Sequence, residues 1–400
     1  MQFIERNNYL ERLISLRETE VIKVVTGIRR CGKSTLFRLY IDYLKKKGVS
    51  EDAILWYNFE DFALQSYIDN PQKLHDEITE IAKTGKMLYV FLDEVQNLKN
   101  FERIVDSLNL RSNIDLYITG SNSFLLSGEL ATLLTGRYVE THVLPFSFKE
   151  YVEMHKDRSR LDLFNDYLQN GGFPGAIAIP ELVRADYVRG IYNSIMQKDI
   201  MTRNAWRKTD HFDRIVRFMF DSIGSPMSAH NISKVFKNLN FSISAPTVEN
   251  YLDAVCDAYL FYKVQRYNIK GKVILSTQEK FYAADLGLKN IVLGQTSQND
   301  TGHALENLVY LELLRRGNQI NIGKADDTEI DFVIQTPQGE REYIQVAWTA
   351  KEQSTFEREI RPFEKIKDYN KRILLTTDVE PITSYKGIQK INVIDWLLAD

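Results

Sequence analysis

The sequence predicts an α/β chain. It opens with a doubly wound parallel sheet, passes through a helical middle and closes with a second α/β region. Three observations carry that expectation. A glycine-rich loop stands between an apolar strand and a helix near the N-terminus. A second apolar run, Met87 to Leu92, ends in two acidic residues. Near the C-terminus, a helix bearing glutamates precedes two short strands, "EIDFVIQ" and "EREYIQVAW".

The 400 residues allow two to four domains with real cores. Apolar residues make up 44% and charged residues 26%, which is ordinary for a globular protein. A net charge of −3 leaves no global basic field, so any nucleic-acid site has to be local. Two cysteines, Cys31 and Cys256, make no disulfide framework and fit a reducing compartment. The opening "MQFIERNNYLERLISL" is charged and amphipathic rather than a signal peptide, and no run approaches the length of a membrane span. The expectation is a cytoplasmic protein with no membrane partner.

The first strand, Val21 to Val25, runs into Gly27-Ile28-Arg29-Arg30-Cys31-Gly32-Lys33-Ser34, and a helix follows with Leu36, Leu39, Tyr40 and Tyr43 on one face. This is G-x-x-x-x-G-K-S in a strand–loop–helix context, the pattern of a phosphate-binding loop. Glycines let the backbone fold round phosphates and aim N–H groups inward, and the helix N-terminus adds positive potential. Lys33 is expected to reach the β- and γ-phosphates and the Ser34 hydroxyl to ligate Mg²⁺, with Thr35 completing the nucleotide-binding stretch. ATP and Mg²⁺ are the implied cofactors. Cys31 is either a thiol made oxidisable by the helix dipole or a small filler, and the filler is the favoured reading.

A phosphate-binding loop needs an acidic partner on a neighbouring strand, and "KMLYVFLDEVQNL" supplies Asp93 and Glu94. Asp93 is placed to hold Mg²⁺ through water and Glu94 to polarise the attacking water. The bland alternative is an acidic pair capping the next helix. The next strand, "IDLYITGSNSF", ends in Gly120-Ser121-Asn122, where Ser121 or Asn122 can hydrogen-bond the water or the γ-phosphate, or Ser121 or Ser123 can cap a helix. Arg137 then lies between a helix and a fifth strand. It reads either as a finger entering a neighbouring subunit's site or as a surface arginine at a helix C-terminus.

Taken together, Gly27 to Ser34, Asp93-Glu94, "ITGSNS", "LTGR…LPFSFKEY" and "GGFPGA" resemble the AAA+-related prokaryotic ATPases that carry a C-terminal domain of unknown function. The resemblance covers essentially the whole chain. It implies the same role for Glu94, makes Ser121/Asn122 a sensor position, and implies a P-loop domain over residues 1–150 and a nucleotide-covering helical lid over residues 151–220. Along that lid stand Arg184, Arg189, Arg203, Arg207, Arg214 and Arg217; one of them, which the sequence does not single out, is a candidate to read the γ-phosphate, and most are solvated helix-face charges.

Residues 221–272 suggest a winged-helix-like module: a short helix in "MSAHNISKVF", a longer one opened by Ser244, and a hairpin turning at Lys270-Gly271. The longer helix argues against a DNA-reading role. From Ile243 to Leu260 it has no Lys or Arg but carries Glu249, Asp253 and Asp257. Basic residues flank it, among them Lys234, Lys237, Lys263 and Arg266.

Residues 273–400 read as a nuclease-like domain. Helix "GHALENLVYLELLRRG", with Glu306 and Glu312, stands before Asp331 on one strand and Gln345-Val346-Ala347 on the next. Nucleases of the PD-(D/E)xK kind put a carboxylate and a lysine two residues apart on that second strand. Here they are glutamine and alanine, so Glu306, Asp331 and Gln345 form a degenerate site without the lysine. The leading expectation is a Mg²⁺-dependent ATPase that couples nucleotide state to its C-terminal modules and acts on an unidentified protein or on DNA, with a homo-oligomer as a further expectation. An ATP-gated DNA-processing nuclease and a slow nucleotide-dependent scaffold are the alternatives.

Overall fold

The computed structural model describes residues 4–123, 136–155, 157–204, 206, 210–294, 301–380 and 382–399. The chain forms two units, Met1–Pro145 with Asp257–Tyr259, and Phe146–Cys256 with Leu260–Asp400.

The first unit is built on β1 (Ile22–Thr26), β2 (Ile54–Asn58), β3 (Leu88–Asp93), β4 (Ile114–Gly120) and β5 (Tyr138–His142). All neighbours are parallel, in the order β2-β3-β4-β1-β5. β1, β3 and β4 are buried at every position, which is why they are mainly apolar on both faces rather than alternating. On one face Val24, Val90, Leu92, Leu116 and Ile118 join a core with residues of helices Pro71–Ala82 and Phe101–Asn109. On the other, Phe91 meets Phe37 of helix Lys33–Lys46 at 5.1 Å between ring centroids and stacks on Tyr117 at 4.7 Å.

One expectation about this sheet needs correcting. The acidic strand β3 does not lie beside β1, because β4 runs between them. The end of β4, with Ser121 and Asn122, therefore stands between the phosphate-loop strand and the Asp93-Glu94 strand.

The sheet also holds a charge pair no pattern had marked. Lys23 on β1 and Asp115 on β4 are ion-paired with both side chains 1% exposed. Tyr117 and the Glu18 backbone N–H donate to the second carboxylate oxygen at 2.7 and 2.9 Å, satisfying it as a buried charge requires.

The second unit begins with Ser147, which caps helix Phe148–Met154 through a reciprocal bond with Glu150. Helices Arg160–Asn170, Glu181–Ser194 and Asp210–Asp221 follow. Of the arginines along them, Arg184 donates to the Ala176 carbonyl at 3.0 Å, Arg189 pairs with Asp186 at 3.1 Å, and Arg214 lies over the Phe241 ring at 4.1 Å. Arg207 lies outside the described residues.

Helices Ala229–Asn238 and Ala245–Asp257 come next, with Ser228 and Ser244 accepting from the backbone three residues on. The hairpin then forms between β7 (Phe261–Asn268) and β8 (Val273–Ala283). These two strands belong to a nine-stranded sheet in the order β13-β14-β12-β11-β10-β9-β7-β8-β6. Its other members are β6 (Pro226–Met227), β9 (Gln319–Ala325), β10 (Thr328–Gln335), β11 (Arg341–Ala347), β12 (Lys371–Thr376), β13 (Thr383–Tyr385) and β14 (Ile388–Asn392). A boundary at 272/273 would cut this hairpin, whose first strand pairs in parallel with β9. Backbone hydrogen bonding makes residues on both sides of that point one sheet. Helix Thr301–Arg315, the antiparallel β9-β10-β11, helix Gln353–Glu364 and the parallel β12 complete its C-terminal half. Among the described residues no helix is long and apolar enough to cross a membrane.

The Gly171-Gly172 break is held by an acid from far along the chain. Asp285 accepts the Gly172 N–H at 2.6 Å and caps helix Leu286–Leu293 through the Leu288 N–H at 3.1 Å. Burial pushes its carboxyl up to about 7, against the pull of those N–H donors. The folded chain then holds this proton more tightly than the unfolded chain. That contribution to stability is full below about pH 4 and is lost as pH rises through about 7. Asp285→Asn removes the titration. Urea midpoints of wild type relative to this variant are expected to fall between about pH 5 and about pH 8, and parallel curves would contradict the assignment.

Candidate functional site

The glycine-rich loop sits at the C-terminal end of β1, where a parallel α/β sheet opens its ligand crevice. Gly27 has φ 141°, and a Cβ on it would lie 2.1 Å from the Val143 carbonyl oxygen. Only glycine lets the chain turn there. Gly32, at φ 109°, starts helix Lys33–Lys46, so the first N–H groups of that helix face the loop. From beneath, the guanidinium of Arg6 donates to the carbonyls of Cys31 at 2.9 Å and Leu144 at 2.7 Å. Arg6 is 4% exposed and pins the loop to the segment after β5. Sequence reading missed it; the signal was a single arginine in a charged helix start.

Lys33 is 3% exposed. Its ammonium donates to the Gly27 carbonyl at 3.1 Å and pairs with Glu94 Oε1 at 3.3 Å. Burial acts to discharge Lys33, but Glu94 outweighs it and holds the ammonium above its ordinary range. Burial acts to raise the Glu94 carboxyl, but Lys33, Arg29 and Gln96 together hold it below the carboxylate range. Both groups are charged. Arg29, from the loop itself, is anchored by Glu60 at 2.6 Å. Glu94 has φ 53°, a left-handed conformation that non-glycine residues adopt at a cost. Its backbone N–H donates to Thr119 Oγ1 at 2.8 Å, and Thr119 in turn donates to Asp93 Oδ1 at 2.6 Å.

The other Asp93 oxygen, Oδ2, is buried without a hydrogen-bond partner. Burial pushes this carboxyl up, opposed by the hydroxyls of Thr119 and Ser34. A buried carboxylate oxygen near a serine hydroxyl is a donor set that suits a hard, oxygen-seeking cation, so the residues fit Mg²⁺. Cys31 is fully buried and burial pushes its thiol up, so it is an inert filler rather than an oxidisable group.

Gln96 was not anticipated. Its Nε2 donates to Glu94 Oε2 at 2.5 Å and to Ser121 Oγ at 3.3 Å. Asn122 is 4% exposed, and its Oδ1 is buried without a partner. The helix that Ser121 was alternatively expected to cap lies outside the described residues. Arg137 is not near this cluster. It precedes β5 at the opposite end of the sheet, roughly 17 Å of strand away from the loop, where it pairs with Asp106 at 3.0 Å.

The degenerate nuclease-like residues do come together, around a lysine that sequence reading overlooked. Lys280 on β8 is 3% exposed and pairs with Glu306 at 2.9 Å and with Glu329 at 2.8 Å. Burial would discharge it, but Glu306, Asp331 and Glu329 hold its ammonium above the ordinary range. Tyr282 donates to the same Glu306 oxygen at 2.6 Å. Asp331, whose carboxyl is pushed far up by burial and then by Glu306, accepts the Val346 N–H at 2.8 Å. Gln345 accepts the Asp331 N–H at 3.3 Å. Glu312 faces Arg315 and Arg316 instead. Among the described residues no group of three or more His, Cys, Asp or Glu is arranged to hold a metal ion.

The loop, the buried Lys33–Glu94 pair and the five-stranded parallel order define the first unit as a P-loop nucleotide-binding domain of the AAA class. Comparison with known proteins agrees. The AAA domain family matches residues 19–152, and a domain of unknown function (DUF8612) matches residues 161–299. An uncharacterized protein of Haemophilus influenzae is 38% identical over 99% of this chain and 98% of its own length. Another, from Methanocaldococcus jannaschii, is 32% identical over 94% of this chain and 85% of its own. The chain belongs to the family of these two proteins, and its own residues 19–152 match the AAA domain. Among solved structures it resembles the Walker-type ATPase PABY2304 of Pyrococcus abyssi, with TM-score 0.52 and 15% identity, over 72% of this chain and 95% of that one. That likeness is one of fold.

The Lys280 cluster makes its own prediction. Lys280→Met strands buried carboxylates and is expected to cost about 3–5 kcal/mol in urea unfolding. Adding Glu306→Gln should recover part of that loss, because the uncompensated charge is then removed; no recovery would show that Lys280 acts by packing alone.

Proposed function

We propose that this protein is a Mg²⁺-dependent ATPase whose nucleotide state governs the partner-binding state of its C-terminal unit. The observation that carries this reading is the buried Lys33–Glu94 pair beside Asp93, at the mouth of a glycine-shaped loop. The loop and helix N–H groups, with Lys33, bind the polyphosphate. Phosphate oxygens attract Lys33 more strongly than one carboxylate does, so bound nucleotide frees Glu94 from its ion pair. Glu94, charged and aimed into the crevice, then accepts a proton from the attacking water. Ser34 and Asp93 would hold Mg²⁺, which when bound neutralises charge on the phosphate oxygens. Ser121 and Asn122, at the end of β4 between the loop and the acids, orient the water or the γ-phosphate.

Arg137 serves as a finger for a second copy of the chain, a reading supported by its position away from its own chain's loop. We further propose that the helices between 151 and 220 form the lid, that the two helices and hairpin after 221 are winged-helix-like, and that the remaining residues have a nuclease-like fold without cutting activity. The order helix, three antiparallel strands, helix, parallel strand supports the last reading. The fully paired Lys280 argues against cleavage, since an ammonium stands among the carboxylates a divalent cation would need. A protein partner is favoured over DNA. Three of the basic residues flanking the acidic helix already pair with carboxylates, Lys263 with Glu279, Arg266 with Glu329 and Lys270 with Asp326.

Glu94→Gln is expected to slow steady-state ATP turnover by about a hundredfold or more while leaving nucleotide affinity in place. Wild-type turnover in this variant would remove Glu94 as the base. Lys33→Ala should abolish nucleotide binding in calorimetry, and unchanged affinity would sink the whole site. The same assay run with single- and double-stranded DNA decides the partner class: stimulation by either would overturn the preference for a protein.

A further inference from the structure

Glu94 is the group on which the proposed hydrolysis turns, and besides the charge of Arg29 its side chain has two direct contacts of different kinds. Lys33 is one, on Oε1, and nucleotide phosphates compete for it. Gln96 is the other, on Oε2. It stands two residues along the chain, just past the left-handed turn at Glu94, in the short helical turn Val95–Asn97. That turn brings the amide back over the carboxylate.

The amide orientation is dictated by its neighbours. Glu94 is ionised and offers only acceptors, so the atom 2.5 Å from it must be the N–H₂ and not the carbonyl. The same nitrogen also reaches Ser121 Oγ at 3.3 Å, at the end of the strand between the loop and the acids. Gln96 Oε1 is thereby turned away from Glu94 and is buried without a partner. One side chain thus ties the carboxylate to the end of β4.

We propose that Gln96 is a positioning residue for the ATPase reaction: its amide keeps the Glu94 carboxylate aimed when nucleotide has taken Lys33, and couples that aim to Ser121. The inference rests on Glu94 being the base. No phosphate competes with the Gln96 bond, because an amide N–H₂ carries no net charge to attract one, whereas Lys33 does. When Lys33 moves to the polyphosphate, Gln96 still donates to the carboxylate. A free carboxylate samples several rotamers, and a misaimed base loses rate without loss of substrate affinity.

The test is a double-mutant cycle under single-turnover conditions with the full chain and labelled ATP. Gln96→Ala is expected to lower the hydrolysis rate roughly tenfold, with the ATP dissociation constant unchanged. In the Glu94→Gln background the same substitution should have less than about a twofold effect, because there is no base left to aim. A structural role would instead give equal losses in both backgrounds, and that result overturns the proposal. So does a Gln96→Ala protein that hydrolyses ATP at the wild-type rate. If Glu94→Gln itself is fully active, the base assignment fails first and the positioning role falls with it. A slow Glu94→Gln beside a fast Gln96→Ala removes only the inference about Gln96.

Discussion

An ammonium group buried in a protein stays charged only if an anion is held against it, and the first unit is organised around that requirement at Lys33. Its partner, Glu94, comes from a strand two places away, so the ends of β1 and β3 must reach the same edge of the sheet with β4 between them. Parallel strands with helical crossovers achieve this, because every strand then ends on the same side. The apolar strands, the helices on both faces and the glycine that lets the loop turn against Val143 all follow from placing those two charges together. Arg6 and Thr119 are the fastenings, one under the loop and one under the acids.

Lys280 obeys the same electrostatics with the opposite consequence. Lys33 has one carboxylate and one carbonyl, and in the proposed function a polyphosphate outbids both. Lys280 pairs with Glu306 and Glu329 and feels Asp331, and Tyr282 completes the shell of Glu306. Nothing that enters from solvent offers it a better set of partners. In the proposed reaction the first lysine changes partners, whereas the second keeps its carboxylates. A region that reads as a damaged nuclease site is, in its packing, a closed charge cluster that joins β8 to the helix Thr301–Arg315 and to β10.

The loop, the acid pair and the apolar strands were legible because each is written in contiguous residues, with chemistry that depends on local backbone geometry. So were the helix start at Ser244 and the turn at Lys270-Gly271, which follow from side-chain-to-backbone bonding within a few positions. Gln96 lay inside the quoted acidic stretch and still went unread, because its importance comes from a left-handed turn at Glu94 that residue order does not reveal. Lys280 was missed for a different reason. It reaches Glu306 and Glu329 from a strand far from them in the sequence, so no local pattern marks it.

The sequence by itself determined the P-loop chemistry, the α/β class and the absence of a lysine beside Gln345. Those properties reside in short segments whose residue types leave few physical alternatives. Tertiary structure alone decided that β4 separates the loop from the acids, that the hairpin after 260 joins the C-terminal sheet, and that Lys280 closes the cluster around Glu306. Strand order and buried charge pairing are set by which surfaces must be covered and which charges must be matched across long stretches of chain. No local pattern encodes that choice, because the partners meet only when the whole unit is packed.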